Sequence, residues 1–306
     1  MSDIDSLKYL KDLKDFKIFV IKNDPGISRV IRKFNFKTRW PREPEFMHLF
    51  HEKIKPSSSI IDLGANIGYL TLYFKKVLKV KKKILAIEPE IENFNFLKEN
   101  IKLNNLEKEV ICKNIAIADE NMDKYFEISN HSNLHKITDK ITSKKIKCKT
   151  LTKVLKEENF TPDFIKMDVE GAEIEVVKGF REYLKNTNHK ISILFEVHPN
   201  EYSDSRSFND ELKFLFENGF VTEYLITAGS RFPNFFRDKG YKSEVYFKSG
   251  KFKRYIVSDV TNEDLLESIN NKIYHRETNG IKDFIKKFRL FSYSKKIVRG
   301  ILLTRN

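Results

Sequence analysis

The stretch that most constrains the fold is "IIDLGANIGYLTLYF" at residues 60–74, where an aspartate, two glycines and an asparagine interrupt an apolar run. The residues before the interruption predict a buried strand, and Tyr69 to Val77 after it predict a helix. The interruption is therefore a turn from strand to helix. Because such turns lie at the carboxyl edge of an open α/β sheet, where ligands bind, this segment predicts both a sheet and a binding site.

The alternation of strand and helix continues along the chain. It predicts strands at residues 59–62, 84–87, 110–117, 164–167 and 191–197, with helices at 69–78, 90–103, 173–184 and 209–217. Residues 118–149 predict a less regular insertion with a hairpin, and further strands are expected near 241–247 and 253–257. This order is typical of a mostly parallel sheet with crossover helices.

Two flanking segments differ from the alternating region. We expect a helical lead-in at residues 1–55, a domain at 56–258 and a basic, helical carboxyl-terminal extension at 259–306. In the extension, apolar side chains at 281–291 share one helical face beside lysines and an arginine. That face has two interpretations: it docks on a core, or it contacts an anionic membrane surface or a partner.

Composition narrows the class of protein. Lys and Arg total 57 against 43 Asp and Glu, a net charge of +14, which favours anionic partners but also fits a solvated lysine-rich surface. The two cysteines, Cys112 and Cys148, lie in predicted strands, which argues against a disulfide framework or a zinc cluster and predicts a cytoplasmic protein. No window approaches the ~18 apolar residues of a spanning helix.

The glycine turn itself indicates the kind of ligand. A dinucleotide-binding turn would read G-x-G-x-x-G, but in that register Asp62 and Ile67 replace two of the glycines. Since an unpaired carboxylate would repel a pyrophosphate, the ligand is expected to be neutral or cationic near Asp62. S-adenosylmethionine fits, because it carries a sulfonium and an ammonium and no phosphate. Gly64 and Gly68 would let it approach the backbone, and Asp62 would anchor either the turn or the amino group.

Two further acidic positions support a site at this edge. Glu88 ends the next strand about 20 residues on, where α/β nucleoside-binding folds place an acid on the ribose hydroxyls, although it also suits a helix amino terminus. The stretch "DFIKMDVEGAEIEVVKG" at 163–179 places Asp168 and Glu170 just after a strand. A helix amino terminus accounts for Glu170 but leaves Asp168 unexplained, so at least one of these acids is predicted to serve the site.

Four segments carry a family resemblance: "SIIDLGANIGYLTLY", "AIEPEIENFNFLKENIKLNN", "TLTKVLKEENFTPDFIKMDVEGAEIEVVKG" and "ILFEVHP". Together they resemble the FkbM family of S-adenosylmethionine-dependent methyltransferases over roughly residues 42–200. The resemblance implies an α/β class I methyltransferase (Rossmann-like) fold, with a seven-stranded, mostly parallel sheet flanked by helices. It also implies S-adenosylmethionine as cofactor and O-methyl transfer to a hydroxyl of a sugar, glycan or related natural product.

The resemblance also assigns roles to residues by motif. Those implied to line the methionyl side of the cofactor are Asp62, Gly64, Ala65, Asn66 and Gly68. Glu88 would bind the ribose, and residues 114–118, with Ala116 among them, would line the adenine. Asp168 and Glu170 would face the donor methyl and the acceptor.

Methyl transfer from a sulfonium is an in-line displacement that needs the acceptor oxygen about 3 to 3.5 Å from the methyl carbon. A hydroxyl acceptor also gains from a base, for which the candidates are Asp168, Glu170, Glu196 and His198; Asp168 and His198 are preferred. A magnesium ion bridging Asp168 and Glu196 is conceivable, but these spacings match no metal motif, so we expect no metal.

Two alternatives compete with a sugar or glycan acceptor. The positive charge favours an RNA methyltransferase, but no aromatic residue to stack a flipped base stands at Asp168 to Gly171, and neither cysteine lies at that strand end. The chain could instead be a non-catalytic, cofactor-binding scaffold whose basic carboxyl-terminal helices contact membrane or nucleic acid. A lipid-linked acceptor would place the protein at the inner membrane face. The sequence does not indicate an oligomeric state.

Overall fold

The computed structural model describes residues 7–127, 136–138, 145–203, 205–229, 231–243, 245–249, 252–269 and 297–305. The chain divides into two compact units, Met1–Ile191 and Ser192–Asn306. The domain limits expected at residues 55 and 258 stay predictions. The apolar face predicted at 281–291 lies outside the described residues. Within the described ranges, no helix combines the length and apolar character needed to cross a membrane.

The first unit begins with an element that the sequence did not predict, an antiparallel hairpin. Its strands are β1 (Lys8–Asp12) and β2 (Lys17–Ile21), and it is followed by helices α1 (Ile27–Lys33) and α2 (Pro44–Lys53). Most of β1 is exposed or half-buried, so it lacks the apolar alternation that reveals a strand. The helical lead-in prediction is therefore right for α1 and α2 and wrong for the hairpin.

The main part of the first unit alternates strand and helix as predicted. In chain order its elements are β3 (Ile60–Leu63), α3 (Tyr69–Lys76), β4 (Ile84–Ile87), α4 (Ile91–Leu103), β5 (Val110–Lys113), β6 (Ala116–Ile117), β7 (Asp123–Glu127), β8 (Lys136–Thr138), β9 (Lys145–Lys149), α5 (Leu151–Glu158), β10 (Phe164–Met167) and α6 (Glu173–Lys185). Strands β10, β3, β4 and β5 lie side by side in that order and are parallel. All residues of β3, β4 and β10 are buried, which explains their unbroken apolar sequences.

The insertion forms a small sheet of its own. Its strand order is β6, β9, β7, β8, and β7 pairs antiparallel with both β8 and β9. Cys112 lies in β5 and Cys148 lies in β9, as their alternating surroundings predict. Both are free thiols.

The second unit contains the remaining strands. Its elements are β11 (Ile191–Glu196), which begins at the last residue of the first unit, α7 (Asn209–Glu217), β12 (Phe220–Thr227), α8 (Asn234–Asp238), β13 (Val245–Ser249), β14 (Phe252–Ser258), α9 (Asn262–Ile269) and β15 (Val298–Arg305). The strand order is β13, β14, β12, β15, β11, and β12 pairs antiparallel with β14 and β15.

The end of the chain corrects the expectation of a helical extension. Helix α9 agrees with it, but Val298–Arg305 is a strand. Its central residues are all buried, and a short apolar run buried on both faces does not reveal from sequence whether it is helix or strand. The seven-strand count is also low, because the described residues place four main strands in the first unit and five in the second. The mostly parallel α/β core flanked by helices is confirmed.

Candidate active site

The glycine turn joins β3 to α3 and is held against β4. The backbone N–H groups of Gly64 and Ala65 both donate to the Ile87 carbonyl at 3.0 Å. Gly64, Asn66 and Gly68 adopt left-handed φ values of +73°, +50° and +88°. A chain that reverses this tightly favours glycine, with asparagine as the tolerated substitute.

Each glycine of the turn also lies against another part of the unit. A Cβ atom on Gly64 would stand 1.9 Å from the Asp168 carbonyl oxygen, and one on Gly68 would stand 2.7 Å from Leu97 Cδ1. A side chain on Gly64 would therefore displace the backbone at Asp168, just after β10, whereas at Gly68 the movable end of the Leu97 side chain in α4 would give way. Ala65, which is also part of the turn, is buried. Contact between the turn and a cofactor stays a prediction.

Asp62 and Lys166 form a buried ion pair under the turn. Asp62 has no exposed surface, and its Oδ2 accepts a hydrogen bond from Thr71 Oγ1 at 2.6 Å. The Lys166 ammonium lies 3.1 Å from Asp62 Oδ1 and donates to the carbonyls of Leu63 at 3.1 Å and Gly64 at 2.8 Å. The pair arises because Asp62 and Lys166 are opposite each other in the register of β3 and β10. The ammonium of Lys166, which lies on β10, thus binds both β3 and the turn.

The surroundings of Lys166 favour its charged form. Burial opposes that charge, but the carboxylates of Asp62 and Asp168 outweigh it and raise the pKa of Lys166. These contacts favour one of the two roles expected for Asp62, namely anchoring the turn. Direct binding of Asp62 to a cofactor stays a prediction. The sequence reasoning missed Lys166, although a lysine inside the apolar strand "FIKM" is a signal, since lysine is almost never buried unless it is paired.

Glu88 connects the end of β4 to the glycine turn. Its Oε2 accepts from the Asn66 backbone N–H at 2.8 Å, and its Oε1 accepts from the Glu90 N–H at 2.9 Å. Burial raises the pKa of Glu88 to about 7, although the two backbone hydrogen bonds work in the opposite direction. The cap of α4 is Glu90, whose side chain accepts from the Asn93 N–H at 2.8 Å, so helix capping does not explain Glu88.

The segment predicted to contact adenine lies beyond β5. Asn114 donates through Nδ2 to the carbonyls of Glu88 at 3.0 Å and Pro89 at 2.8 Å, which fixes the loop after β4. Ala116 is buried in β6 opposite Cys148. A contact between Ala116 and adenine is untested and stays a prediction.

Asp168 and Glu170 follow β10 in a tight turn. Glu170 and Gly171 both have positive φ, +49° and +99°, and the Gly171 N–H donates to the buried Glu173 carboxylate at 3.1 Å. Asp168 and Glu170 are half-buried. The carboxyl ends of adjacent parallel strands β10, β3 and β4 therefore carry Asp168, the glycine turn and Glu88, which is the edge where ligands bind in such sheets.

His198 and Glu196 belong to the second unit. Glu196 is the last residue of β11, and its Oε1 lies 3.2 Å from Arg299 Nη2. His198 precedes a short 3₁₀ turn at Pro199–Glu201, and its backbone N–H donates to the Tyr202 hydroxyl at 3.3 Å. A role for His198 as the base stays a prediction.

Glu43 is a second residue that the sequence reasoning did not single out. It has φ +49° directly before Pro44, a costly conformation for a residue that precedes proline. Its carboxylate lies 2.7 Å from Arg42 Nη2 and is a minor contributor to the raised pKa of Lys166, after Asp62 and Asp168. Strained backbone of this kind clusters at functional sites, so Glu43 joins the candidate residues.

The chain is similar in sequence to known methyltransferases. A family model described as "Methyltransferase FkbM domain" matches residues 62–222. Hexuronic acid methyltransferase AglP of Haloferax volcanii is 28% identical, over 51% of this chain and 62% of that protein. Methyltransferase sdnD of Sordaria araneosa is 30% identical, over 40% of this chain and 60% of that protein. The chain thus spans about three fifths of the length of these curated relatives.

Solved structures show weaker likeness. Methyltransferase FkbM from Methylobacillus flagellatus KT has a TM-score of 0.41 and 17% identity, covering 71% of this chain and 50% of that one. M. jannaschii TYW2 in complex with AdoMet has a TM-score of 0.38 and 15% identity, covering 82% of this chain and 84% of that one. These likenesses are too low to give any residue a role.

Proposed function

The chain belongs to the FkbM methyltransferase domain family, and we propose that it is a methyltransferase that transfers a methyl group from S-adenosylmethionine to a hydroxyl of a sugar, glycan or related natural product. The observation that carries this proposal is the buried Glu88 carboxylate, hydrogen-bonded to the glycine turn at the neighbouring strand end. An acid in this place suits the two hydroxyls of a ribose.

The chemistry of Glu88 fits the proposed cofactor. A carboxylate accepts about four hydrogen bonds, and the described contacts of Glu88 are two backbone N–H donors. Acceptor positions therefore remain for two ribose hydroxyls. When bound, S-adenosylmethionine supplies a methyl group activated by a sulfonium.

The buried ion pair changes the electrostatic argument for this cofactor. Since Lys166 compensates Asp62, the charge of Asp62 adds little attraction for a cationic donor. The role of Asp62 and Lys166 is then to hold the Gly64 carbonyl and the turn in one position. Fixed positioning supplies much of the acceleration in a displacement of this kind.

The acceptor hydroxyl must lose a proton as its oxygen forms the new bond. In our proposal Asp168 takes this proton on a carboxylate oxygen, and Glu170, two residues on, orients the acceptor by accepting hydrogen bonds from its other hydroxyls. His198 is the alternative base. Neither proposed route uses a metal ion.

The acceptor class rests on two supports. The family resemblance implies hydroxyl acceptors on sugars or natural products, and one relative is named for hexuronic acid. Since the chain spans about three fifths of that relative, the acceptor remains a proposal. We further propose a cytoplasmic location, with contact to the inner membrane face where the acceptor is lipid-linked.

The proposal is tested by incubating the purified chain with S-adenosylmethionine and separate acceptors: a hexuronide, a neutral hexoside and transfer RNA. We expect release of S-adenosylhomocysteine with a sugar and loss of that release in Asp168→Asn. Turnover with RNA alone would identify the rival enzyme class. Binding of the donor without turnover on any acceptor would identify a scaffold.

A further inference from the structure

A cavity in the first unit lies against α3, the helix that follows the glycine turn, and has no role in the site described above. Its volume is about 360 Å³, within the range of about 300–1,000 Å³ that is typical of small-molecule sites, and it is partly open to solvent. One wall is formed by Tyr69 and Tyr73 of α3 and by Val77, the residue that caps its carboxyl end, at positions i, i+4 and i+8. Tyr69 directly follows Gly68 of the turn along the chain, so the helix that lines the cavity begins at the proposed cofactor site. We call it the Trp40 cavity, after a residue of the facing wall.

The Trp40 cavity is lined by rings that come from separate elements and are fixed in place. The Tyr73 hydroxyl accepts a hydrogen bond from Trp40 Nε1 at 2.8 Å and contacts His51 Nε2 at 2.7 Å. Phe16 packs against Tyr69 with a centroid distance of 6.0 Å. Aromatic faces carry negative π density, which attracts the polarised C–H groups of a pyranose ring. Among these rings the half-buried Trp40 and the exposed Phe36 present surface to the cavity, whereas Phe16, Tyr69 and Tyr73 are buried in its wall.

The charges of the lining determine which sugar fits best. Lys14 Nζ lies 4.8 Å from the centre of the Phe36 ring, and Arg39 Cζ lies 4.5 Å from the Trp40 ring. Against these two cations the lining includes one carboxylate, Asp15. An arginine stacked on an indole presents its N–H donors at its edge, in the fork that pairs with a carboxylate.

We propose that the Trp40 cavity binds a pyranose bearing a carboxylate, that is, a hexuronate unit of the acceptor. The proposal rests on the sugar methyltransferase function and narrows its substrate class. The pyranose ring would stack between the aromatic side chains, and its carboxylate would pair with Arg39, with Lys14 adding a second positive charge.

Trp40 serves as an intrinsic fluorescent probe of the cavity, because it is the single tryptophan of the chain. Methyl glucuronide is titrated into the full chain in the presence of S-adenosylhomocysteine while tryptophan emission is recorded. We expect a saturable change, with methyl glucoside, the neutral counterpart, binding at least about tenfold more weakly because it lacks a charge-assisted hydrogen bond. Equal affinity for the two glycosides, or no saturable change, would overturn the inference.

Two variants and one further ligand sharpen the test. Arg39→Gln is expected to lose the preference for the glucuronide, whereas Arg237→Gln, an arginine in α8 with a 61% exposed side chain, is expected to keep it. Glucose 6-phosphate distinguishes a carboxylate site from a phosphate site. Tighter binding of the phosphate than of the glucuronide would overturn the inference. The comparison of ligands on the unchanged chain does not depend on either variant folding.

Calorimetry with S-adenosylhomocysteine separates this inference from the proposed function. If the cofactor product binds and the glucuronide does not, the cavity inference fails while the methyltransferase proposal stands. If the cofactor product does not bind, the proposed function fails, and saturable binding of glucuronide would still support an acidic-sugar site at Trp40.

Discussion

Lys166 Nζ lies 3.1 Å from Asp62 Oδ1 and 2.8 Å from the Gly64 carbonyl oxygen, so one buried ammonium holds both a strand-end carboxylate and the turn that follows it. From sequence, Asp62 appeared as an acid that could meet a ligand. The structure gives that acid an internal partner. The glycine turn is therefore preformed by a charge pair within the protein.

Replacing Lys166 with methionine should destabilise the chain by about 3–5 kcal/mol, because it leaves the buried Asp62 carboxylate without its counter-charge. Urea unfolding monitored by circular dichroism measures the loss. Lys82→Met is the matched control, since Lys82 has a 55% exposed side chain in a surface pair with Asp163 and should change stability by less than about 0.5 kcal/mol.

The double variant Asp62→Asn with Lys166→Met tests whether the two residues act as a pair. Removing both charges should cost less than the sum of the two single losses. Additive losses would show that the ion pair is not the source of the effect.

Gly64→Ala should destabilise more than Gly240→Ala, although both residues have positive φ, +73° and +86°. Both variants should lose about 1–2 kcal/mol of unfolding free energy, because alanine disfavours the left-handed conformation. Only the Gly64 Cβ meets another atom, the Asp168 carbonyl oxygen at 1.9 Å, whereas nothing lies within 4 Å at Gly240. We expect an extra loss of about 1–3 kcal/mol in urea unfolding. Equal losses would mean that the turn does not need this contact.

Glu88 should make stability depend on pH. Its pKa of about 7 in the folded chain lies above the ordinary 4.5, so the folded state binds the proton more tightly than the unfolded state. The contribution of about 3 kcal/mol is complete below about pH 4.5 and is lost as the pH rises to about 7. The difference in unfolding free energy between the wild type and Glu88→Gln should fall over this window. A difference that is constant from pH 4.5 to 7 would contradict the raised pKa.

Asn100 should hold the amino-terminal hairpin on α4. Its amide accepts from the Phe19 N–H at 2.6 Å and donates to the carbonyls of Phe19 at 2.9 Å and Ile67 at 2.8 Å. Asn100→Ala should cost about 2–4 kcal/mol, since buried backbone groups lose their partner. Hydrogen exchange should accelerate at β2.

Asn186→Ala serves as the control for Asn100, because the Asn186 side chain makes a local, exposed bond to the Glu182 carbonyl at 2.9 Å. It should leave exchange at β2 unchanged. Unchanged protection of β2 in Asn100→Ala would show that other contacts hold the hairpin.

The sequence predicted the elements whose apolar pattern is local. Strands Ile84–Ile87 and Phe164–Met167 and helix Asn209–Glu217 were predicted to the residue, because each is a short buried run or a regular amphipathic segment. The positions of Asp168 and Glu88 at strand ends followed from the same pattern.

The features that the sequence did not predict depend on distant partners. The β1–β2 hairpin is held by Asn100 and Asn104, more than 80 residues away along the chain. The pattern also did not predict strand β15, which pairs with β12. Lys166 is a lysine whose partner comes from another strand. Local periodicity carries no information about contacts between residues far apart in sequence. These features could therefore not be predicted from the pattern.

Calorimetric titration with S-adenosylmethionine tests the central claim most directly. We predict one binding site per chain, with affinity about tenfold tighter at pH 8 than at pH 6 as Glu88 ionises with its pKa of about 7. Glu88→Ala should lose this binding, whereas Glu90→Ala, at the neighbouring acid that caps α4, should keep it. No binding by the wild-type chain, or equal affinity in Glu88→Ala, would contradict the account.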